Sequence, residues 1–290
     1  MNDLAVNGTS PIRARRTKAE IELLEETLLD IVEEIQPATV RQVFYQAVSR
    51  GLIPKTEAAY KSIVCRLLAR LRRGGQLPYR WIADNTRWMR KPTTYKGMEQ
   101  MLADSVALYR RDLWADQDAY VEVWLEKDAL AGVIYPVTGQ WDVPLMVTRG
   151  YPSLTFVASA AEAMSYEERP VFICYLGDHD PSGVDIPRDL QAKLREMAPE
   201  IDLSFEVIAV TPEQIDNMGP PTRPTKKGDS RSASFFGESV EVDAIPPHRL
   251  LALVNECIVK HLDVERYNNL QRIESIERQT LAQFVAWWSS

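Results

Sequence analysis

Phe172-Ile173-Cys174-Tyr175-Leu176-Gly177-Asp178-His179-Asp180-Pro181-Ser182-Gly183 is the stretch on which the fold turns. Its first five residues are an apolar run bounded by turn residues, the pattern of a strand buried in a parallel sheet. The run ends on two aspartates, and in such a sheet ligands gather at the carboxyl ends of the strands. Asp178 and Asp180 stand two residues apart, so extended backbone points both carboxylates the same way. Gly177 and the Pro181-Ser182-Gly183 turn let the chain bend sharply around them. Clustered hard oxygens suit Mg²⁺, with Mn²⁺ as a substitute. Two solvated turn aspartates would have the same spacing, so the pair needs a third group before it implies chemistry.

Working outward, residues 119–125, 144–147 and 203–210 also read as strands with helical segments between them, which predicts an α/β sheet, mostly parallel. The run through Val121, Val123 and Leu125 ends in Glu126-Lys127-Asp128, a second acidic strand end and the source of the third carboxylate. Lys127 and Arg149 are placed either to contact a phosphate or to pair with Asp128 or another carboxylate. Strand alternation points His179 away from the two aspartates that flank it. Helices are expected over 246–262 and 264–288.

Upstream the texture is helical. Thr17 and Glu20 form a capping box before an apolar stripe of Ile21, Leu24, Leu28, Ile31, Val32 and Ile35, whose acidic reverse face should turn away from DNA. Pro37 ends that helix, Thr39 caps the next through about residue 50, and residues 51–54 break the chain before a third helix over 56–72. The third carries Lys61, Arg66, Arg70, Arg72 and Arg73 opposite an apolar set that includes Val64, Leu67 and Leu71, so one face can pack while the other meets phosphates. Residues 77–88 mix aromatics with arginines and predict a short strand pair. Three helices and a hairpin describe a winged helix-turn-helix, which reads DNA through the major groove or serves as a protein-interaction module. The expected organisation is a mobile arm over 1–16, a winged-helix domain over 17–94, a linking helix over 95–117, and the α/β domain with its closing helices over 118–290.

Charge agrees with this division. Residues 37–100 hold thirteen basic and three acidic side chains, a net of +10 in a chain of net −7, so the remainder carries −17. One region is suited to a polyanion such as double-stranded DNA and the rest to divalent cations. A further basic loop over 219–231, with Lys226 and Lys227, is a candidate backbone contact or a solvated loop. At 45% apolar and 26% charged over 290 residues the chain has the composition of a globular protein, and no apolar run reaches the roughly 18 residues that cross a bilayer. Cys65, Cys174 and Cys257 are odd in number and lack zinc-ligand spacing, which predicts reduced thiols and a cytoplasmic setting.

Glu126-Lys127-Asp128-Ala129, then Arg149-Gly150-Tyr151-Pro152, then Asp178-His179-Asp180-Pro181-Ser182-Gly183, in that order and spacing, resemble the Toprim domain, a Rossmann-like fold, of the topoisomerase VI A subunit and its relatives, which include the meiotic double-strand-break transesterase. The resemblance implies a Mg²⁺ site formed by Glu126, Asp178 and Asp180, in a homodimer that cleaves DNA. It extends to Thr39-Val40-Arg41-Gln42-Val43-Phe44-Tyr45, similar to the segment in which an arginine precedes the nucleophilic tyrosine, so Tyr45 takes the nucleophile's place and Arg41, one turn away, would favour its phenolate. Phe44 stands where the family often has a second tyrosine, and the apolar neighbours of Tyr45 also suit a core aromatic. The chain has no phosphate-binding G-x-x-x-x-G-K-[ST] loop, which leaves any ATPase to a separate subunit. Two other readings stand beside transesterification: hydrolysis, as attributed to the related Toprim nuclease subunit of Wadjet-type plasmid-defence systems, and a non-catalytic DNA-binding module.

Overall fold

The computed structural model describes residues 16–83, 92–222, 235 and 238–288. The helices α1 (Lys18–Ile35) and α2 (Val40–Ser49) each begin with a full capping box, at Thr17/Glu20 and Thr39/Gln42. Glu57–Ala59 (α3), a π-helical stretch Tyr60–Cys65 and Arg66–Arg73 (α4) follow one another without a break, closed by Gly74 and by Gly75 at φ +72°. Leu28, Ile31, Val32, Val43, Val64 and Leu68 are fully buried, and each aliphatic side chain so placed stabilises the fold by about 1.5–3 kcal/mol. After Leu77 the chain makes a 3-10 turn, Tyr79–Trp81, and Ile82 pairs with Ala38 in a single parallel bridge. That contact replaces the expected strand pair among the described residues of 77–88. The linking helix is shorter than expected, Met98–Leu108 (α5), because Gly97 opens it and Tyr109 leaves helical backbone.

Beyond it, β1 (Tyr120–Leu125), β2 (Leu145–Val147), β3 (Val171–Leu176) and β4 (Leu203–Ala209) form one sheet in the order β2-β1-β3-β4, every pair parallel. Alternation sends Val121, Val123, Leu125, Cys174 and Leu176 to one face, where α6 (Ala131–Gln140) and α10 (Pro247–Val259) cover them. Trp124, Ile173 and Tyr175 go to the other face, under α7 (Leu154–Met164) and α8 (Pro181–Met197). The connection leaving β1 runs outward through α6 to β2, and the one leaving β3 runs the opposite way through α8 to β4. A crevice therefore opens at the carboxyl ends of β1 and β3, where such sheets bind ligands. α9 (Pro212–Met218) and the long α11 (Val264–Trp288) complete the described elements.

The apolar cluster on the α10 face is continuous with that of α1, α2 and α4, so the N-terminal helices and the sheet share one core. Cys174 on β3 and Cys257 on α10 are joined in a disulfide inside it, and Cys65 is free. This corrects the expectation of three thiols: 83 residues separate the pair in sequence, and only the packing of α10 on the sheet brings them together. No helix among the described residues is long and apolar enough to cross a membrane.

Candidate functional site

Glu126 is the first residue past β1, and its N–H donates to Leu176 O at 2.9 Å, carrying the β1–β3 ladder one step further. Its Oε2 accepts the N–H of Asp178 at 2.9 Å. Gly177 is required between them: a Cβ there would lie 2.7 Å from Glu126 Oε2 and 2.6 Å from the Tyr175 ring. Asp180 caps α8, its Oδ1 accepting from the N–H groups of Ser182 and Gly183 at 3.0 and 2.8 Å. Gly183 is required for a second reason, since a Cβ would come within 2.0 Å of Asp178 O. The D-x-D-P-x-G pattern is thus a strand end folded tightly onto the first turn of a helix, with three carboxylates gathered around it.

Two further acids, which the sequence reading passed over, complete the cluster. Lys127 Nζ lies 2.7 Å from Asp243 Oδ2, 3.0 Å from Asp178 Oδ1 and 3.3 Å from Glu241 Oε2. Asp178 Oδ1 also accepts the N–H of Val242 at 2.8 Å, and His179 forms an antiparallel bridge with Val240. The apolar-acidic pattern Val240-Glu241-Val242-Asp243 was the available signal: both valines are buried in the core and, through the 3-10 turn Val242–Ala244, both carboxylates reach Lys127. Burial pulls the Lys127 ammonium down, but Asp243, Asp178 and Glu241 outweigh it and hold the group well above its ordinary value. Burial pushes the Glu126 carboxyl up to about 7, helped by the neighbouring Asp178 charge. Asp178 is raised too, chiefly by burial, with Lys127 and the Val242 N–H opposing.

Tyr45 is 2% exposed on α2, and its hydroxyl hydrogen-bonds Glu241. Burial and then the Glu241 charge raise its pKa strongly, and the more distant Lys127 and Arg41 offset this only in part. Arg41 does not take Tyr45 as its partner. Its guanidinium stacks 3.9 Å over the Tyr60 ring and bonds Glu57 Oε2 at 3.2 Å. Thr39, the cap of α2, donates to Asp243 Oδ1 at 3.3 Å, so the tyrosine and the strand-end carboxylates of one chain are joined through Glu241, Lys127 and Asp243. Arg149, at φ +56°, pairs with Asp128 at 3.0 Å.

On the basic helical rod, Lys61, Arg66 and Arg73 are exposed, and Lys61 lies 3.7 Å from Glu57. Arg70 bonds Glu25 of α1, while Glu22, Glu26 and Glu33 of the same helix stay exposed. Arg72 lies 5.8 Å from the centre of the Tyr79 ring. Lys226 and Lys227 lie outside the described residues, as do the arm over 1–15 and residues 84–88 of the expected wing.

Among the described residues no three His, Cys, Asp or Glu side chains converge as metal ligands. Asp178 Oδ1 is held by Lys127 and Val242, Asp180 Oδ1 by the start of α8, and Glu126 Oε2 by Asp178 N–H. The donor set still fits a hard cation. Three carboxylates crowd one strand-end crevice, burial raises two of them with the Asp178 charge adding to the rise of Glu126, and an ammonium is already drawn to 3.0 Å from Asp178. Compared with protein-family models and with curated proteins, the sequence matches none.

Proposed function

We propose that the chain is a Mg²⁺-dependent enzyme that cleaves DNA by hydrolysis, with a Toprim-like sheet and a winged-helix-like N-terminal region. The observation that carries the reading is the placement of Glu126 and Asp178 at adjacent carboxyl ends of the two central parallel strands, with Asp180 closing the turn. A cation bound there supplies charge stabilisation to the phosphate and its leaving oxygen. The Glu126 carboxyl, pushed up to about 7 by burial and by Asp178, would give up its proton in the field of a bound cation and would hold that cation together with Asp178 and Asp180. Lys127 orients Asp178. Lys61, Arg66 and Arg73 present cations to the DNA backbone.

Hydrolysis is preferred to attack by Tyr45 because that hydroxyl is buried against a carboxylate, and a phenol so held resists ionisation. The transesterification reading, in which Tyr45 of one protomer attacks DNA held at the metal of the other, stands as the alternative. Incubation with supercoiled plasmid and Mg²⁺ or Mn²⁺ tests the proposal. Cleavage that leaves protein-free ends and disappears in Asp178→Asn supports it, and wild-type cleavage by that variant defeats it.

A further inference from the structure

The helix α11 runs 25 residues, Val264–Trp288, and presents two separate stripes. The inner one, Tyr267, Leu270, Glu274 and Arg278, is committed to this chain. Tyr267 and Leu270 pack with Leu113, Glu274 accepts from Arg111 N–H, and Arg278 donates to Tyr109 O. The outer one is Ile273, Ile276, Thr280, Phe284 and Trp287. Its steps of 3, 4, 4 and 3 residues confine it to about 80° of arc, centred about 120° from the inner stripe. Its apolar members are 40%, 63%, 52% and 73% exposed in chain order, and Trp288 beside them is 42% exposed.

We infer that this outer stripe is a docking surface for a second copy of the chain, the two α11 helices crossing antiparallel about Thr280. The inference rests on α11 alone, independently of the proposed activity. Steps of three and four residues keep the stripe on one face of the helix, as packing against another helix requires. The area is sufficient. At 150–250 Å² per ring, the exposed parts of Phe284 and Trp287 come to about 300 Å² per copy, and with the two isoleucines a pair would bury roughly 900–1,000 Å², close to the lower bound for a specific interface.

Charge selects the occupant. Residues 279–288 read Gln279-Thr280-Leu281-Ala282-Gln283-Phe284-Val285-Ala286-Trp287-Trp288, without a single charge. A nucleic acid or a charged protein finds no complement there, and a helix lying on a lipid surface would carry Lys or Arg along its polar flank. Two copies meet there without repulsion. The antiparallel arrangement follows from shape and from Arg272. It seats the large Phe284 and Trp287 of one copy against Ile276 and Ile273 of the other, and it brings Arg272 toward the partner copy's indoles, whereas a parallel pair would set the two arginines side by side.

Sedimentation velocity on the full chain, over about 1–100 μM, the range in which an interface of this modest size dissociates, tests the inference. The wild type should pass from monomer to dimer. Ile276→Glu with Phe284→Glu, at exposed positions, should raise the dissociation constant at least about 30-fold with unchanged helical circular dichroism. Trp287→Gln should act in the same direction, and Leu23→Glu on the exposed side of α1 should not. A wild type that stays monomeric throughout overturns the inference, as does a dimer indifferent to the stripe variants. So does a monomer that instead binds neutral phosphatidylcholine vesicles through the stripe.

Discussion

Lys127 Nζ and Asp243 Oδ2 stand 2.7 Å apart at the junction of the sheet with α2, and the other oxygen of Asp243 receives the hydroxyl of Thr39, the α2 cap. One ammonium, with its side chain 23% exposed, therefore serves three carboxylates of 4–11% exposure, Asp178, Glu241 and Asp243. Removing it takes that ammonium from all three, and Asp178 and Asp243 are the more dependent on it. Lys127→Met should cost about 3 kcal/mol in urea unfolding, the scale for breaking one side of a buried ion pair. Lys127→Arg, which keeps the charge, should recover part of the loss. A Met variant as stable as the wild type would show that the cluster is neutralised in some other way.

The turn between β3 and α8 makes an independent claim on backbone geometry. A Cβ at Gly183 would overlap Asp178 O, a main-chain atom with nowhere to retreat, so Gly183→Ala should destabilise by about 2 kcal/mol or more and displace the strand-end aspartates. Gly97→Ala, where the new methyl meets nothing within 4 Å, is the matched control and should be close to neutral. Thermal unfolding of the two variants checks this, and equal effects would remove the steric argument.

The strands, their parallel order and the three strand-end acids were legible in the sequence because each is a local pattern: an apolar run, a turn, a carboxylate. Long-range pairings were not. Glu241 and Asp243 lie 114 and 116 residues from Lys127, and their alternation with Val240 and Val242 marks a buried acidic edge without naming its partner. Arg41 was read with Tyr45 because they are four apart on one helix. The ring it covers is Tyr60, brought across by the packing of α2 on the π-helical stretch. The packing of α1 on α4 places Glu25 against Arg70, which the two helical patterns taken separately cannot reveal.

Glu122 gives a pH prediction away from the site. Its carboxylate, buried in β1, accepts from Tyr120 Oη at 2.8 Å and from Trp124 Nε1 at 2.7 Å, yet burial outweighs both and raises its pKa. A carboxyl whose folded pKa is raised contributes stability that is present below its ordinary value of 4.5 and lost as pH rises through the folded value. Glu122→Gln keeps an acceptor for the indole, can donate to the phenol oxygen, and does not ionise. Relative to the wild type it should gain stability as pH rises from 4.5 toward neutrality. Glu122→Ala, which takes the acceptor from both donors, should lose about 2–4 kcal/mol at pH 4.5 and less as pH rises. Parallel pH dependence of wild type and Gln variant would remove Glu122 from the account.

Arg66 and Arg73 should differ in kind from Arg70, which is exposed like them but bonded to Glu25. If Arg66 and Arg73 meet phosphates, Arg66→Ala and Arg73→Ala should each reduce the slope of log affinity against log salt by about one. Arg70 already bonds Glu25, so Arg70→Ala should change that slope less. Titration of a DNA duplex at several salt concentrations distinguishes them, and three identical slopes would move the DNA surface elsewhere.

Tyr45→Phe decides between the two routes of cleavage. Removing the hydroxyl takes one donor from Glu241 while leaving the ring packed beside Phe44 and Lys55, so the fold should lose only about 1 kcal/mol. A nucleophile would have to leave Glu241, shed its proton from an environment that holds it, and reach solvent from 2% exposure. Glu126, Asp178 and Asp180 already stand together at the strand ends, on backbone that is fixed by the β1–β3 ladder and the start of α8. On the hydrolytic reading Tyr45→Phe therefore cleaves plasmid within a few-fold of the wild type, and neither protein yields covalent adducts on denaturation. If the wild type forms adducts that Tyr45→Phe lacks, α2 must move to expose the hydroxyl, and transesterification replaces hydrolysis. The strand-end carboxylates would remain the site in either case, because Asp178→Asn should silence both reactions while only one of them passes through the tyrosine.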